Sequence, residues 1–522
     1  MRGIGKAAGS SALLLAMLSG TSAAWAQGGT SSASPQVTAP AVAPAAAPGV
    51  AAPSAPPQTA PAVSTYRAEA TEAALPAPVA SALRAARLPV TAMGIYVQEV
   101  GANRPVLSVN ADKSMSPASV MKLVTTYSAL ELLGPAFTWK TGIYETGTRN
   151  GDVLQGDLVL KGSGDPKLTQ EDLGSALRAV RARGIREIAG NIVLDHSVFE
   201  ATNYDAARFD GDPMRAYNAG PDGLLVNFKA FALTFAPDEA SGTVNVTAEP
   251  RPAGLPIRAA VTLVKGPCTD LRGPALKTRI DATGITVAGP YALNCGVRSL
   301  WLHPYELTAA QYDGAVLRQL WSDAGGTLTG DVRDGPLPAT ARLLYEIESE
   351  SLAETIRDIN KFSNNVMARE LYLDIGHELL RLPANPDRSY RAIRNWLLEK
   401  KIGGEELVME NGSGLSRIER IAPQTLGRML VAAFRSPVMP EFISSMPLVA
   451  YDGTMQRRLR SKDIAGQAHI KTGTLNDVRS IAGYVLAASG KRYAVVCLVN
   501  SPYAGGAQAL QDALLQWVYA EN

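Results

Sequence analysis

Apolar positions along this chain follow two rhythms. Between Pro78 and Leu88, and again from Val120 to Leu133, they recur at the spacing of a helix with one buried face. In the second run Val120, Leu123, Val124, Tyr127, Leu130 and Leu133 are framed by Ser116 as N-cap, Pro117 at the first helical position and Gly134 as the stop. Before that helix, Ile95 and Val97 alternate with polar neighbours, Gly101 to Arg104 make a turn, and Val106 to Val109 return, which predicts a β-hairpin. From about Thr138 to Pro336 the texture changes to short β-like runs between turns, such as residues 156–160, 190–194 and 244–246. Helical spacing resumes over 350–359, 364–380 and 389–401. A second hairpin follows, 481–486 and 493–499 around Ser489 and Gly490, and then a helix with Leu510, Leu514 and Val518 on one side. The pattern predicts a mixed α/β domain split by a β-rich insertion.

Composition sharpens the picture at the N-terminus. Arg2 and Lys6 precede a short apolar run from Ala12 to Leu18, and Ala24-Trp25-Ala26 supplies small residues for cleavage. Residues 1–26 therefore read as a signal peptide, too short in its apolar part to span a bilayer. Residues 27–65 are Ala, Pro, Ser and Thr with almost no charge, the composition of a tether. Export makes a disulfide permissible. Cys268 and Cys295 lie in turn-rich settings and read as a pair, with Cys497 free inside a buried strand; three reduced thiols are the alternative. A net charge of +2 with 19% charged residues lacks the basic excess of a nucleic-acid binder.

Three short strings carry candidate chemistry. Ser119-Val-Met-Lys122 opens the framed helix, so a hydroxyl and an amine one turn apart share a face, near the positive helix end. Taken alone, a capping serine and a solvated lysine are the plainer reading. Ser363-Asn364-Asn365 lies between two helical segments, where Ser363 and Asn365 can project into one cleft; an ordinary N-cap is the plainer reading. Lys471-Thr472-Gly473-Thr474 precedes the last hairpin, offering a cation, two hydroxyls and a glycine that lets a ligand backbone approach. A strand end with a solvated lysine is the alternative. All three occur in the order S-x-x-K, S-x-N, K-T-G, the signature of penicillin-binding proteins and class A β-lactamases. No H-E-x-x-H, G-x-S-x-G or Walker string competes with them.

The match extends to Met115 through Thr126, Gly162-Ser-Gly-Asp-Pro166, Gly412-Ser-Gly-Leu-Ser-Arg417 and Tyr451-Asp-Gly-Thr454. In these stretches the chain resembles the class C low-molecular-mass penicillin-binding proteins, the D-Ala-D-Ala carboxypeptidase/endopeptidases of serine peptidase family S13, from about residue 76 onward. The resemblance implies an α/β (α+β) transpeptidase-like domain over 66–138 and 345–522. It also implies an inserted domain over 139–236 and 297–344, with a further insertion over 237–296. Cys268 and Cys295 fall where relatives carry a paired cysteine. Two positions depart from the family pattern: Asn364 and Asn411 stand where an aspartate is common.

The resemblance further implies a mechanism. Ser119 attacks the carbonyl between two D-alanines, Lys122 is the base, and Ser363 relays a proton beside Asn365. Lys471, Thr472 and Thr474 hold the terminal carboxylate at Gly473, and the N–H groups of Ser119 and Thr474 form the oxyanion hole. Asp212, Tyr217 and Arg417 are expected to form a substrate side-chain pocket; Asp212 as a turn cap and Arg417 as a surface ion-pair member are the alternative. The expected partners are peptidoglycan peptides, with β-lactams as covalent inhibitors, in the periplasm; loose membrane association is compatible with this. No cofactor, metal or nucleic acid is expected. A class A β-lactamase would need a deacylating glutamate in E-x-x-L-N, which is lacking, and would not carry so long an insertion. A non-catalytic peptidoglycan binder would not need nucleophile, base and anchor together.

Overall fold

The computed structural model describes residues 71–522; the expected signal peptide and tether lie outside them. At its centre is a five-stranded sheet in the order Ala468–Leu475, Val478–Leu486, Arg492–Asn500, Met93–Glu99, Leu107–Val109, antiparallel throughout. Alternation along each strand feeds two cores. Val495, Cys497 and Val499 pack with Ile95 and Val97 under the helices Ala77–Ala85 and Ala507–Glu521, while Val496 and Leu498 face the opposite layer. That layer holds the helices Met121–Leu133, Leu352–Lys361, Asn365–Leu380 and Pro423–Phe434. The result is a helix–sheet–helix sandwich in which the period of two of a strand decides which core each side chain joins.

The chain leaves this sandwich after Gly134, whose φ of 87° suits the helix stop expected there. The outgoing strand Lys140–Glu145 pairs antiparallel with the returning strand Arg342–Glu348, Glu348 opposite Lys140, so the insertion is stitched shut where it joins. This returning strand runs across the expected boundary at residues 344 and 345. Within the insertion four sheets surround one core that includes Ile143, Leu177, Phe235, Tyr291 and Trp321. Val244, Ile285 and Val287 of the expected further insertion belong to that same core. Strand Thr243–Glu249 also pairs with Phe231–Asp238 across the expected boundary.

Two helices in the insertion, Gln170–Ala182 and Ala309–Asp323, differ from the expected run of short strands. Each starts at a capping box, Thr169 with Asp172 and Thr308 with Gln311, and buries residues at helical spacing such as Leu173, Leu177 and Val180. Cys268 and Cys295 are disulfide-bonded, S–S 2.00 Å, and Cys497 is free and buried. Among the described residues no helix is long and apolar enough to cross a membrane.

Candidate active site

The framed helix starts later than its cap signals predict. Ala118–Val120 form a 3-10 turn and the α-helix begins at Met121. Ser116 makes no side-chain cap; instead Asn500 brackets it, accepting from its N–H at 2.8 Å and donating to its carbonyl at 3.0 Å. Ala118 is left at φ 46°, a conformation that favours glycine, and it presents Ser119 half-buried at the helix start. Two glycines make this turn possible. A Cβ on Gly414 would lie 1.9 Å from the Ala118 carbonyl oxygen, and one on Gly473 would lie 2.2 Å from the Ser480 hydroxyl, which donates to the Pro117 carbonyl at 2.5 Å. Loop and edge strand therefore clamp the serine from two sides.

Lys122, fully buried one turn on, has three polar partners. Its Nζ lies 2.5 Å from Asn365 Oδ1, 2.5 Å from the Ser413 carbonyl oxygen and 3.1 Å from Ser119 Oγ. The first two only accept, so they take two N–H bonds. A neutral amine then has its lone pair left for the one partner that can donate, the Ser119 hydroxyl. Burial pushes Lys122 well below the usual lysine range; Lys471 and Arg369, as like charges, add to this, and Glu419 opposes it.

The second string sits at a helix junction. Asn364 caps Asn365–Leu380, its side chain accepting from Val366 and Met367 N–H, which accounts for its tolerance of an amide in place of a carboxylate. Ser363, at φ 58°, is turned toward Lys471, whose Nζ donates to Ser363 Oγ at 2.9 Å and to the Thr472 carbonyl at 2.8 Å. Lys471 is fully buried, and burial pushes it down to about 7. Thr472 donates to Thr454 Oγ1 at 2.7 Å, which ties the quoted Tyr451–Thr454 stretch to the edge strand.

Sequence reasoning gave no role to four residues that contribute here. Ser413 acts through its backbone carbonyl, which no side-chain pattern signals. Glu419, fully buried, accepts from the N–H groups of Glu410, Asn411 and Gly412 at 2.9–3.1 Å and so shapes the loop that presents Ser413. Asn411 accepts from the Ser413 N–H and hydroxyl at 3.0 and 2.6 Å, which an amide oxygen does as well as a carboxylate. Arg369 is one helical turn beyond Asn365, a spacing that was legible.

The three expected pocket residues are not gathered around one cavity. Asp212 accepts from Arg215 Nε at 2.6 Å, and Tyr217 donates to Asp210 at 2.8 Å. Arg417 stacks its guanidinium 4.5 Å from the centre of the Phe209 ring and pairs with Asp477 at 3.4 Å. Arg417 lines the cavity between insertion and sandwich, whose lining does not include Asp212 or Tyr217.

A sandwich split by a large insertion, with serine, lysine and a second serine–lysine pair around one helix start, defines a penicillin-binding-protein-like peptidase fold. The family model for the D-Ala-D-Ala carboxypeptidase 3 (S13) family matches residues 75–520, and the chain belongs to that family, which makes it a serine-type D-Ala-D-Ala carboxypeptidase, a hydrolase. It is 29% identical to a D-alanyl-D-alanine carboxypeptidase of Actinomadura sp. (strain R39), covering 81% of this chain and 80% of the relative. It is 25% identical to D-alanyl-D-alanine carboxypeptidase DacB of Haemophilus influenzae, covering 78% and 85%. The crystal structure of penicillin binding protein 4 (dacB) from Haemophilus influenzae shares the fold at a TM-score of 0.71, with 23% identity over 85% of this chain and 99% of that one.

Proposed function

We propose that the chain hydrolyses D-Ala-D-Ala ends and D-configured cross-links of peptidoglycan peptides through an acyl-enzyme on Ser119. The observation that carries this reading is the disposition around Lys122: two acceptor-only neighbours orient its Nζ so that the lone pair meets the Ser119 hydroxyl. Ser119 Oγ passes its proton to Lys122 and bonds to the substrate carbonyl carbon, whose oxygen takes up negative charge between the N–H groups of Ser119 and Thr474. Collapse breaks the C–N bond, and Ser363, held by Lys471, relays a proton to the leaving amine. Water then attacks the ester, gives a proton back through the same groups and frees Ser119. Lys471 with the hydroxyls of Thr472 and Thr474 anchors the terminal carboxylate, and Gly473 lets the edge strand lie against the Ser119 turn. Asp212, Tyr217 and Arg417, which line no common cavity here, would reach the substrate side chain only on giving up Arg215, Asp210 and Asp477.

A β-lactam presents the same carboxylate and acyl carbon, so it acylates Ser119 and stays, because its leaving group remains tethered. The relative's fold has been seen with a β-lactam bound, which supports this assignment. The signal-peptide pattern of residues 1–26 supports a periplasmic location. The test is labelling with fluorescent penicillin: the native chain forms a lasting adduct, and folded Ser119→Ala forms none. Residual covalent labelling of that variant would remove the assignment, and rapid loss of the native adduct would favour a β-lactamase.

A further inference from the structure

Part of the outer edge of strand Ala468–Leu475 is already occupied. In an antiparallel strand each residue sends its N–H and C=O to the same side, and the side alternates along the chain. Ala468 and Ile470 face away from the neighbouring strand, and both are paired there: Val449 N–H donates to the Ala468 carbonyl at 2.9 Å, and Ile470 N–H donates to the Pro447 carbonyl at 2.8 Å. By the same parity Thr472 and Thr474 face outward, and these are the residues assigned to the terminal carboxylate and the oxyanion. A substrate held at both runs from Thr474 toward Thr472. Just beyond, it meets the segment Pro447–Val449, which holds the edge. Extended pairing along this strand therefore ends with the leaving residue.

Two aromatic side chains stand in solvent around that point, although aromatic residues usually bury most of their area. Phe362, next to Ser363, is 69% exposed, and Tyr451 is 63% exposed. Their segments are locked together. Lys361 Nζ donates to Asp452 at 2.5 Å and to the Met446 carbonyl at 3.1 Å, and a Cβ on Gly453 would lie 2.6 Å from the Lys361 carbonyl oxygen. The Tyr451 ring lies along Gly466, where a Cβ would stand 3.0 Å from it, and Thr454 ties the same loop to Thr472. We propose that Phe362 and Tyr451 are specificity-determining residues that seat the arm of a cross-linked leaving group, and so set how the enzyme divides between cutting cross-links and releasing single D-alanines. The proposal rests on the reading of Ser119 as nucleophile. A departing D-alanine ends at the carboxylate anchor. In a cross-link the departing D-centre carries the same carboxylate but continues through an aliphatic arm into a second peptide. With the edge closed at Ile470, that arm leaves the strand beside Thr472 and Thr454, where the two exposed rings offer apolar surface. Methylenes laid against them remove area from water on both partners, a gain that reaches the larger leaving group and not D-alanine.

The test measures kcat/KM on two substrates with the same acyl side, a peptide ending in D-Ala-D-Ala and a cross-linked dimer cleaved at the equivalent bond. Phe362→Ser and Tyr451→Ser are expected each to lower the value for the dimer about fivefold to tenfold, carried by KM, while D-Ala release stays within about twofold of native. The double variant should show the larger loss on the dimer. Phe362→Tyr keeps an aromatic face and should keep the native ratio between the two substrates. Both side chains are exposed, so these variants fold, and the ratio cancels any shared loss of activity. Equal losses on both substrates would mean that the two residues act on Ser363 or Lys471 rather than on the arm, and would overturn the proposal. A ratio unmoved in the double variant, or a native chain that releases D-Ala but leaves the dimer intact, would overturn it as well. Failure of penicillin to label the native chain would instead overturn the Ser119 reading.

Discussion

A Cβ built on Gly473 would stand 2.9 Å from the backbone nitrogen of Ser119 and 2.7 Å from the Pro117 carbonyl oxygen. The edge strand thus approaches the nucleophile turn at a distance only glycine permits, and the two assigned oxyanion donors, the N–H groups of Ser119 and Thr474, flank this contact. Gly473→Ala should push the strand from the turn. Its penicillin acylation rate is expected to fall roughly 10²-fold, the size of losing one oxyanion donor, while the melting temperature drops modestly from overpacking. A variant that acylates at the native rate would show that the strand can shift without cost to the site.

The pH profile of kcat/KM should have two limbs set by the two buried lysines. Lys122 acts as a base only when neutral, so the rate falls as pH drops through its lowered value. Lys471 attracts a carboxylate only when charged. Burial holds it at about 7, so in the free enzyme its ammonium is lost as pH rises past that point and substrate capture weakens. Lys471→Arg keeps its charge throughout, and it should abolish the alkaline limb while the acid limb remains. An alkaline limb unchanged in that variant would assign it to another group. Lys122→Ala should slow acylation roughly 10²–10⁴-fold above the acid limb, and by less below it, where the native lysine is already protonated.

Cys268 and Cys295 close a loop of sequence separation 27. On the loop-entropy model the bond contributes about 3–4 kcal/mol, so Cys268→Ser should lower the melting temperature while leaving penicillin acylation of the folded protein near native, since the bond lies in the insertion. Mass mapping of the exported chain should find these two residues joined and Cys497 reactive only on unfolding. Two free thiols at 268 and 295 would refute the pairing.

Asp212 is engaged by Arg215 rather than open to a ligand. For it to select substrates, a ligand ammonium must replace that guanidinium. Asp212→Ala is expected to lower kcat/KM about tenfold for a peptide with a free diaminopimelate end and to spare one ending in a simple alkyl chain. Equal losses on both would make the Asp212–Arg215 pair a structural brace of the insertion.

Local pattern alone determined a good deal of this protein. The alternating run at Ile95–Val97, the continuous apolar run at Tyr493–Val499, the helix stop at Gly134 and the three strings around Ser119, Ser363 and Lys471 are each set by neighbours close in the chain, so they are readable without a fold. Tertiary structure decided what these strings meet. Ser413 reaches Lys122 across 291 positions through a carbonyl that every residue possesses, and Glu419 shapes that loop from inside the core, where a lone glutamate has no signature. The helix start moved because Asn500, 384 positions away, competes for the backbone of Ser116. Asp212 turned to Arg215, although spacing placed it equally well for a ligand, because an ion pair forms with the nearest opposite charge the folded loop presents. Both lysines carry an ordinary charge in the sequence; only burial, which is a property of the packed sheet and helices, moves them toward the proton transfers assigned to them.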